Sequence, residues 1–407
     1  MEVLYKRCCG LDVHKKSITA CALTPEDKEI KNFGTMTEDI FALVEWIKEK
    51  GCTHVAMEST GVYWKPIYNL LEIEDIEILV VNAQHIKMVP GRKTDVKDAE
   101  WIADLLRHGL LKGSYIPDRD QRELRELVRY RKSMIGERSR EVNRMQKVLE
   151  GCNIKLSSVA TDITGVSAKS MLKAIIDGAE DTTVVAKLAK GRMKNKQKQL
   201  EKALAGLIGE HQKKLLLTQI EHIEFMDQKI KDLDQEIEAR MRPFEEELAL
   251  LETIPGVARR SAEEIGAEIG FDMDRFPTDA HISSWAGMSP GNNESAGKRK
   301  SGKTTKGNKS LRTTLVISAR SASRTKDTYL SAQYRRIASR RGGNRAAVAV
   351  GHSMLVIAYH ILKKREPYKE LGADYFDQRK KDVVVNSAIK RLKALGYKVT
   401  VEAEAAA

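Results

Sequence analysis

Three short runs with strand character crowd the first 35 residues of the chain, and this most constrains its fold. Cys8–Val13 and Ser17–Leu23 are apolar and separated only by His14-Lys15-Lys16, and a third candidate strand covers Glu29–Thr35. Polar breaks this short make an antiparallel meander, because a parallel return needs a crossover of a dozen residues. Then the periodicity changes. Glu38–Lys50 has a wide apolar helical face of Phe41, Leu43, Val44, Trp46 and Ile47. His54–Met57 reads as a strand, Trp64–Leu71 as a helix and Ile76–Val81 as a buried, β-branched strand. Thr94–His108 reads as a helix capped by Thr94, with Gly109 after its end. The order is βββαβαβα, an α/β domain.

The rest is mostly helical. Pro117–Glu150 reads as one long helix, opened by Pro117 and Asp118 and closed by Gly151. Residues 119–155 hold 11 Lys/Arg against six acids, which suits either a phosphate backbone or a solvated connector. A polar, Lys-rich stretch at Lys187–Lys202 is a candidate hinge. Ile223, Met226, Ile230, Leu233 and Ile237 fall at a/d spacing, as in a helical hairpin or a dimer contact.

Charge is unevenly spread. The 407 residues carry a formal net charge of +13, but Ser295–Arg345 alone holds 15 Lys/Arg and a single acid, Asp327. The remainder is close to neutral. A basic segment on a neutral body points to a polyanion, most often nucleic acid. Five cysteines, Cys8, Cys9, Cys21, Cys52 and Cys152, form no zinc-type spacing and suit packing in a reducing compartment. The first ten residues have no signal-peptide pattern, and the apolar run Ala346–Leu362 is short of a bilayer span. A cytoplasmic chain with a buried C-terminal helix and no membrane partner is expected.

Acids mark the chemistry. Asp12 ends the first apolar run, Glu58 ends the strand Val55-Ala56-Met57-Glu58, and Asp95 and Asp98 share a helix face at three-residue spacing. Carboxylates at strand ends can hold a hard cation, and oxygen-only ligands favour Mg²⁺ or Mn²⁺. With this element order, the layout resembles the RNase H-like fold and the D-E-D-D quartet of RuvC-type resolvases.

Two further motifs follow. Leu251-Glu252-Thr253-Ile254-Pro255-Gly256-Val257 and Ser261–Gly266 resemble a helix-hairpin-helix element, whose turn at Pro255-Gly256 can approach a phosphate; an ordinary helical turn fits as well. Gly287-Met288-Ser289-Pro290 then leads into Ser295-Ala296-Gly297-Lys298-Arg299-Lys300-Ser301-Gly302-Lys303, followed by Lys306, Lys309 and Arg312. A serine here is either a phosphate ligand or a nucleophile, and a nucleophile needs a metal or carboxylate that this segment lacks.

The sequence of parts resembles the DEDD transposases of bacterial insertion sequences, the "IS one-ten" family, with the Piv-type invertases. The resemblance covers residues 8–110 and about 250–365. It implies a RuvC-like catalytic domain at 1–115, a helical, coiled-coil-like dimerisation connector at 116–248, an α-helical transposase domain at 249–370 and a tail at 371–407. By motif, Asp12, Glu58, Asp95 and Asp98 match the metal-binding quartet. Ser295 matches the serine that forms a 5′-phosphoserine link with DNA. The family often has Ser-Gly or Ser-Ser-Gly there, where this chain has Glu294-Ser295-Ala296-Gly297, and Ser301 is the second candidate. Lys298, Arg299, Lys300 and Lys303 would be backbone or transition-state cations. The resemblance further implies Mg²⁺, target and donor double-stranded DNA, and a bridge RNA pairing with both. The working unit is a dimer or tetramer with one protomer's acids meeting another's serine, acting at the nucleoid. The alternative activity is a metal-dependent, structure-selective nuclease, like a Holliday-junction resolvase, without a covalent intermediate. A non-catalytic nucleic-acid-binding protein is the third reading.

Overall fold

The computed structural model describes residues 2–59, 61–82, 98–291, 293–295 and 298–401, with the backbone alone at 293–295 and 298–300. The chain divides into two compact units, 1–118 and 119–407.

The first unit is an α/β layer structure on one mixed, five-stranded sheet of order β3-β2-β1-β4-β5. β1 (Cys8–Val13), β2 (Ile18–Leu23) and β3 (Lys28–Phe33) form the expected meander, and β4 (His54–Glu58) and β5 (Glu77–Val81) run parallel to β1. β1 is central and covered on both sides. Cys9, Leu11 and Val13 pack with α1 (Thr37–Glu49) and α2 (Trp64–Leu71), while Cys8 faces the core shared with α3 (Asp98–Arg107). The buried stripe of α1 is Ile40, Leu43, Val44 and Ile47 with Trp46, whereas Phe41 is half exposed. Helical spacing from Leu43 and Val44 reaches back to Ile40, and Phe41 lies a further 100° round the helix. β3 is the charged outer strand, with Lys28 and Lys31 on an edge that discourages further pairing.

All five cysteines are free and buried, as the sequence suggested. Burial pushes the thiol of Cys8 up to about 12 and those of Cys21 and Cys52 to about 11. Thiolate is therefore scarce at neutral pH. The native protein is expected to resist Ellman's reagent at pH 8 and to titrate fully once unfolded in guanidinium.

In the second unit, α4 (Arg119–Gly151) pairs antiparallel with α8 (Glu210–Met241), with Arg138 on Asp227, Arg131 on Asp234 and Arg240 on Glu123 fixing the register. The a/d residues Ile223, Met226 and Ile230 are buried with Met134, Met145 and Leu149 of α4, so this seam closes a hairpin within the chain. The Lys-rich stretch is ordered. A 3₁₀ turn at Gly191–Lys196 leads into α7 (Gln197–Leu204), which buries Leu200 and Leu204 in the same core; it follows α5 (Val166–Ile176) and α6 (Thr182–Ala186).

Beyond it come α9 (Glu245–Glu252), α10 (Arg259–Ile269), α11 (Asp279–Trp285), a hairpin of β6 (Asn293–Ser295) and β7 (Lys298–Ser301), α12 (Lys309–Ala322), α13 (Tyr329–Arg341) and α14 (Gly343–Lys364). By length and composition α14 could cross a membrane, but Ala347, Val350, Met354, Leu355 and Ala358 are buried where it packs on α11, α12 and α13. It is the core helix of this unit. α15 (Tyr375–Gln378) and α16 (Lys381–Ala394) follow as a largely exposed tail.

Candidate active site and nucleic-acid groove

Strand register brings two of the four acids together. Leu11 pairs with Met57 in the parallel β1–β4 ladder, so one step further Asp12 stands beside Glu58. Neighbouring strands lie about 4.8 Å apart, and residues in register point to the same face. Leu11 and Met57 are fully buried on the α1–α2 side, which puts Asp12 and Glu58 on the α3 side. Both are half-buried, and Nε2 of His14 lies 3.1 Å from the Asp12 carboxylate.

Gly10 lets the helix that begins at Asp98 approach this face. It shares the face of Asp12, and a Cβ there would lie 2.3 Å from the Ala99 carbonyl oxygen and 2.4 Å from the Ala103 amide nitrogen. The α3 backbone therefore rests directly on β1, with Asp98, its first described residue, next to Ala99. Asp95 lies outside the described residues. Among the described residues no three His, Cys, Asp or Glu side chains already converge as a metal cluster. Asp12 and Glu58 lie on the sheet face against which α3, beginning at Asp98, packs. Any side chain at position 10 must push α3 away. Gly10→Val is expected to abolish DNA strand transfer and to lower the melting temperature of the first unit, measured by circular dichroism alongside a strand-transfer assay.

The serine segment forms the β6–β7 hairpin. Ser295 pairs with Lys298 at its closed end and Asn293 with Ser301 at its open end. The arms continue toward the body of the unit. The Gly291 amide donates to the Lys303 carbonyl at 2.9 Å, Pro290 bridges Thr304, and the backbones of Gly287 and Gly307 touch where a Cβ on either would clash. The Ser301 hydroxyl accepts from the Lys303 amide at 3.1 Å. Lys306 is exposed in the returning loop, and Lys309 opens α12, whose N-cap is Asn308.

Beside the hairpin lies a groove of about 1070 Å³ lined by Ser301, Lys303 and Arg312 and, across from them, by Arg341 and Arg345. Among the described residues its lining contains no acid. Arg341 and Arg345 belong to the basic run Ser295–Arg345 but were not singled out within it. They flank Gly342-Gly343, where Gly342 adopts φ of +82° and turns α13 into α14.

Two segments that the sequence left open as phosphate contacts also serve the packing of the fold. The Pro255-Gly256 turn does join α9 to α10, but Gly256, at φ of +85°, faces the α12 backbone, where a Cβ would lie 2.5 Å from both the Ser318 carbonyl oxygen and the Ala322 nitrogen. The glycine is required by helix packing. On α4, the basic excess is largely neutralised inside the unit. Arg129 binds Glu268, Arg131 binds Glu263 and Asp234, and Lys132 binds Glu264. That face of α4 is an ion-paired seam with α10.

The family comparisons fall on these same regions. The model of the DEDD transposase domain of IS110 elements matches residues 9–154, and that described as "Transposase IS116/IS110/IS902 family" matches residues 248–335. The chain belongs to the IS110 family of transposases. It is 23% identical over 367 residues to the transposase for insertion sequence element IS1111A of Coxiella burnetii, covering 88% of this chain and 90% of that protein. It is 24% identical over 313 residues to the insertion element IS116 uncharacterized 44.8 kDa protein of Streptomyces clavuligerus, covering 69% and 75%. Membership of the IS110 family makes the chain a DNA-binding, DNA-processing enzyme. The first match contains all four candidate acids, and the second contains the hairpin with Ser295 and most of the basic segment.

Proposed function

We propose that this IS110-family transposase cuts and rejoins DNA through a covalent phosphoserine intermediate. Asp12, Glu58, Asp95 and Asp98 hold Mg²⁺ or Mn²⁺, and Ser295 is the nucleophile. The observation that carries the reading is the β1–β4 register, whose last pair, Leu11 with Met57, sets Asp12 and Glu58 side by side at the strand ends, with the first described turn of α3 laid across Gly10. The strand order and directions support an RNase H-like, RuvC-related first unit. A bound divalent cation supplies charge neutralisation and activation of the attacking oxygen in phosphoryl transfer. The protein's own part is to orient the carboxylates on rigid strand ends, to present the serine on a short hairpin and to neutralise phosphates with Lys298, Arg299, Lys300 and Lys303.

The family resemblance adds a bridge RNA that selects target and donor by pairing, leaving the protein to read backbone and shape. It also adds a dimer or tetramer in which one protomer's acids act with another's serine. RNA co-purifying with the protein, sequenced against the DNA flanking its gene, tests the guide.

The metal assignment is tested by Mn²⁺ titration followed by electron paramagnetic resonance. Asp12→Asn and Glu58→Gln are each expected to weaken binding at least about tenfold. Unchanged binding in both would refute the site. Metal-dependent nicking that survives loss of the serine and leaves no protein on the DNA would instead indicate a resolvase-like nuclease.

A further inference from the structure

The groove beside the β6–β7 hairpin has a lining that a duplex backbone does not need. Its rim is cationic, with Lys303 and Arg312 on the hairpin and α12 side and Arg341 and Arg345 at the α13–α14 corner. None of these four forms an ion pair with a carboxylate among the described residues, in contrast to Arg129, Arg131 and Lys132 on α4. Cations without carboxylate partners among the described residues, gathered around one groove, call for an external polyanion.

The floor is different in kind. Ile337 of α13 and Val348 and Ala349 of α14 are half-buried and face the groove, with Met288 beneath. Asn344 stands beside them, its Oδ1 accepting from Arg320 Nη2 at 2.9 Å. That bond orients the amide and leaves its NH₂ as the donor for a base carbonyl. A duplex offers phosphates and groove edges, while its base faces stay stacked inside. A single strand offers phosphates and base faces together, and sites for it combine a cationic track with side chains, most often aromatic, on which bases stack; here the aliphatic floor takes that place.

We propose that this groove binds a single-stranded segment of nucleic acid, its phosphates on Lys303, Arg312, Arg341 and Arg345 and its bases over Ile337, Val348 and Ala349. The inference rests on the reading of the chain as a nucleic-acid enzyme and is independent of the metal and nucleophile assignments. Because Ser301 belongs both to the groove lining and to the hairpin carrying Ser295, a strand held here lies next to the hairpin. The groove is placed to retain a strand end between cutting and rejoining.

The experiment is fluorescence anisotropy on the full chain without divalent metal, using a short fluorescein-labelled oligothymidylate and a blunt duplex of matching length. Replacing Arg341 and Arg345 together by alanine is expected to weaken oligothymidylate binding at least tenfold and to flatten its salt dependence by about 0.7 in log–log slope per lost phosphate contact. The double lysine variant restores the slope. Ile337→Ser with Val348→Ser is expected to weaken oligothymidylate binding severalfold and to leave duplex binding unchanged. Equal losses on both probes would overturn the single-strand assignment, and no loss on either would overturn the groove. Binding without metal requires neither the acids nor the Ser295 hydroxyl, so failure of the covalent mechanism is read separately from the protein–DNA adduct.

Discussion

Ser295→Ala is expected to eliminate the covalent protein–DNA species and to reduce strand exchange by at least about 10³-fold, since no other group supplies the ester oxygen. In the proposed step the Ser295 Oγ attacks phosphorus, the bond from phosphorus to the 3′-oxygen breaks, and the serine proton passes to solvent through a base while the 3′-oxygen takes one up. One phosphoester replaces another, so rejoining by a second 3′-hydroxyl reverses the exchange, restores the serine and needs no ATP. The readout is a band of retarded mobility on a denaturing gel, sensitive to protease. Ser301→Ala is the control. Ser301 occupies the open end of the hairpin and its Oγ already accepts from the Lys303 amide, whereas Ser295 occupies the closed end opposite Lys298. An adduct that persists in Ser295→Ala and disappears in Ser301→Ala would transfer the role. Persistence in both would end the phosphoserine mechanism.

How much of this could be read without coordinates follows the range of the interactions involved. The meander and the strands at 54–58 and 77–81 were legible because β-branched and apolar runs with short polar breaks are local signals. The acids were legible because strand ends and helix spacing are local too, but their common face depends on the β1–β4 register and on Gly10 yielding to α3. The fate of the basic residues was not legible. Arg129 and Arg341 look alike in sequence, yet one meets Glu268 at a separation of 139 residues and the other meets no acid among the described residues. Net charge along the chain therefore marked the whole segment Ser295–Arg345 as basic and left α4 open, and could not say which cations the fold pairs internally. The a/d seam of α8 likewise predicted burial correctly, and only the coordinates assign its partner as α4 of the same chain.

The same ion-paired seam yields the largest expected effect on stability. Glu268 is almost fully buried on α10, its Oε1 accepting from Arg129 Nε at 2.7 Å and its Oε2 from Arg129 Nη2 at 2.7 Å and Asn308 Nδ2 at 2.6 Å. Burial by itself would raise its pKa, but the Arg129 hydrogen bonds and charge outweigh that, and the carboxyl is held below its ordinary value. Glu268→Gln keeps the shape and removes the charge, leaving the buried end of Arg125 and the Arg129 fork without their anion. The expected cost is about 3 kcal/mol, at the low end for a broken buried pair because Arg129 is half exposed. For a unit of this size that is a fall of about 5 °C in melting temperature. A depressed carboxyl stabilises the fold above its unfolded value, and that contribution is lost as pH falls through the folded value. The difference between wild type and Glu268→Gln should therefore be full above about pH 5 and shrink in more acidic solution. Urea denaturation at neutral and acidic pH measures both. A pH-independent difference would assign the loss to packing alone. Because Asn308 also caps α12 through the Leu311 amide, release of Glu268 loosens the helix start that carries Arg312. Oligothymidylate affinity should then fall in Glu268→Gln even where the protein remains folded.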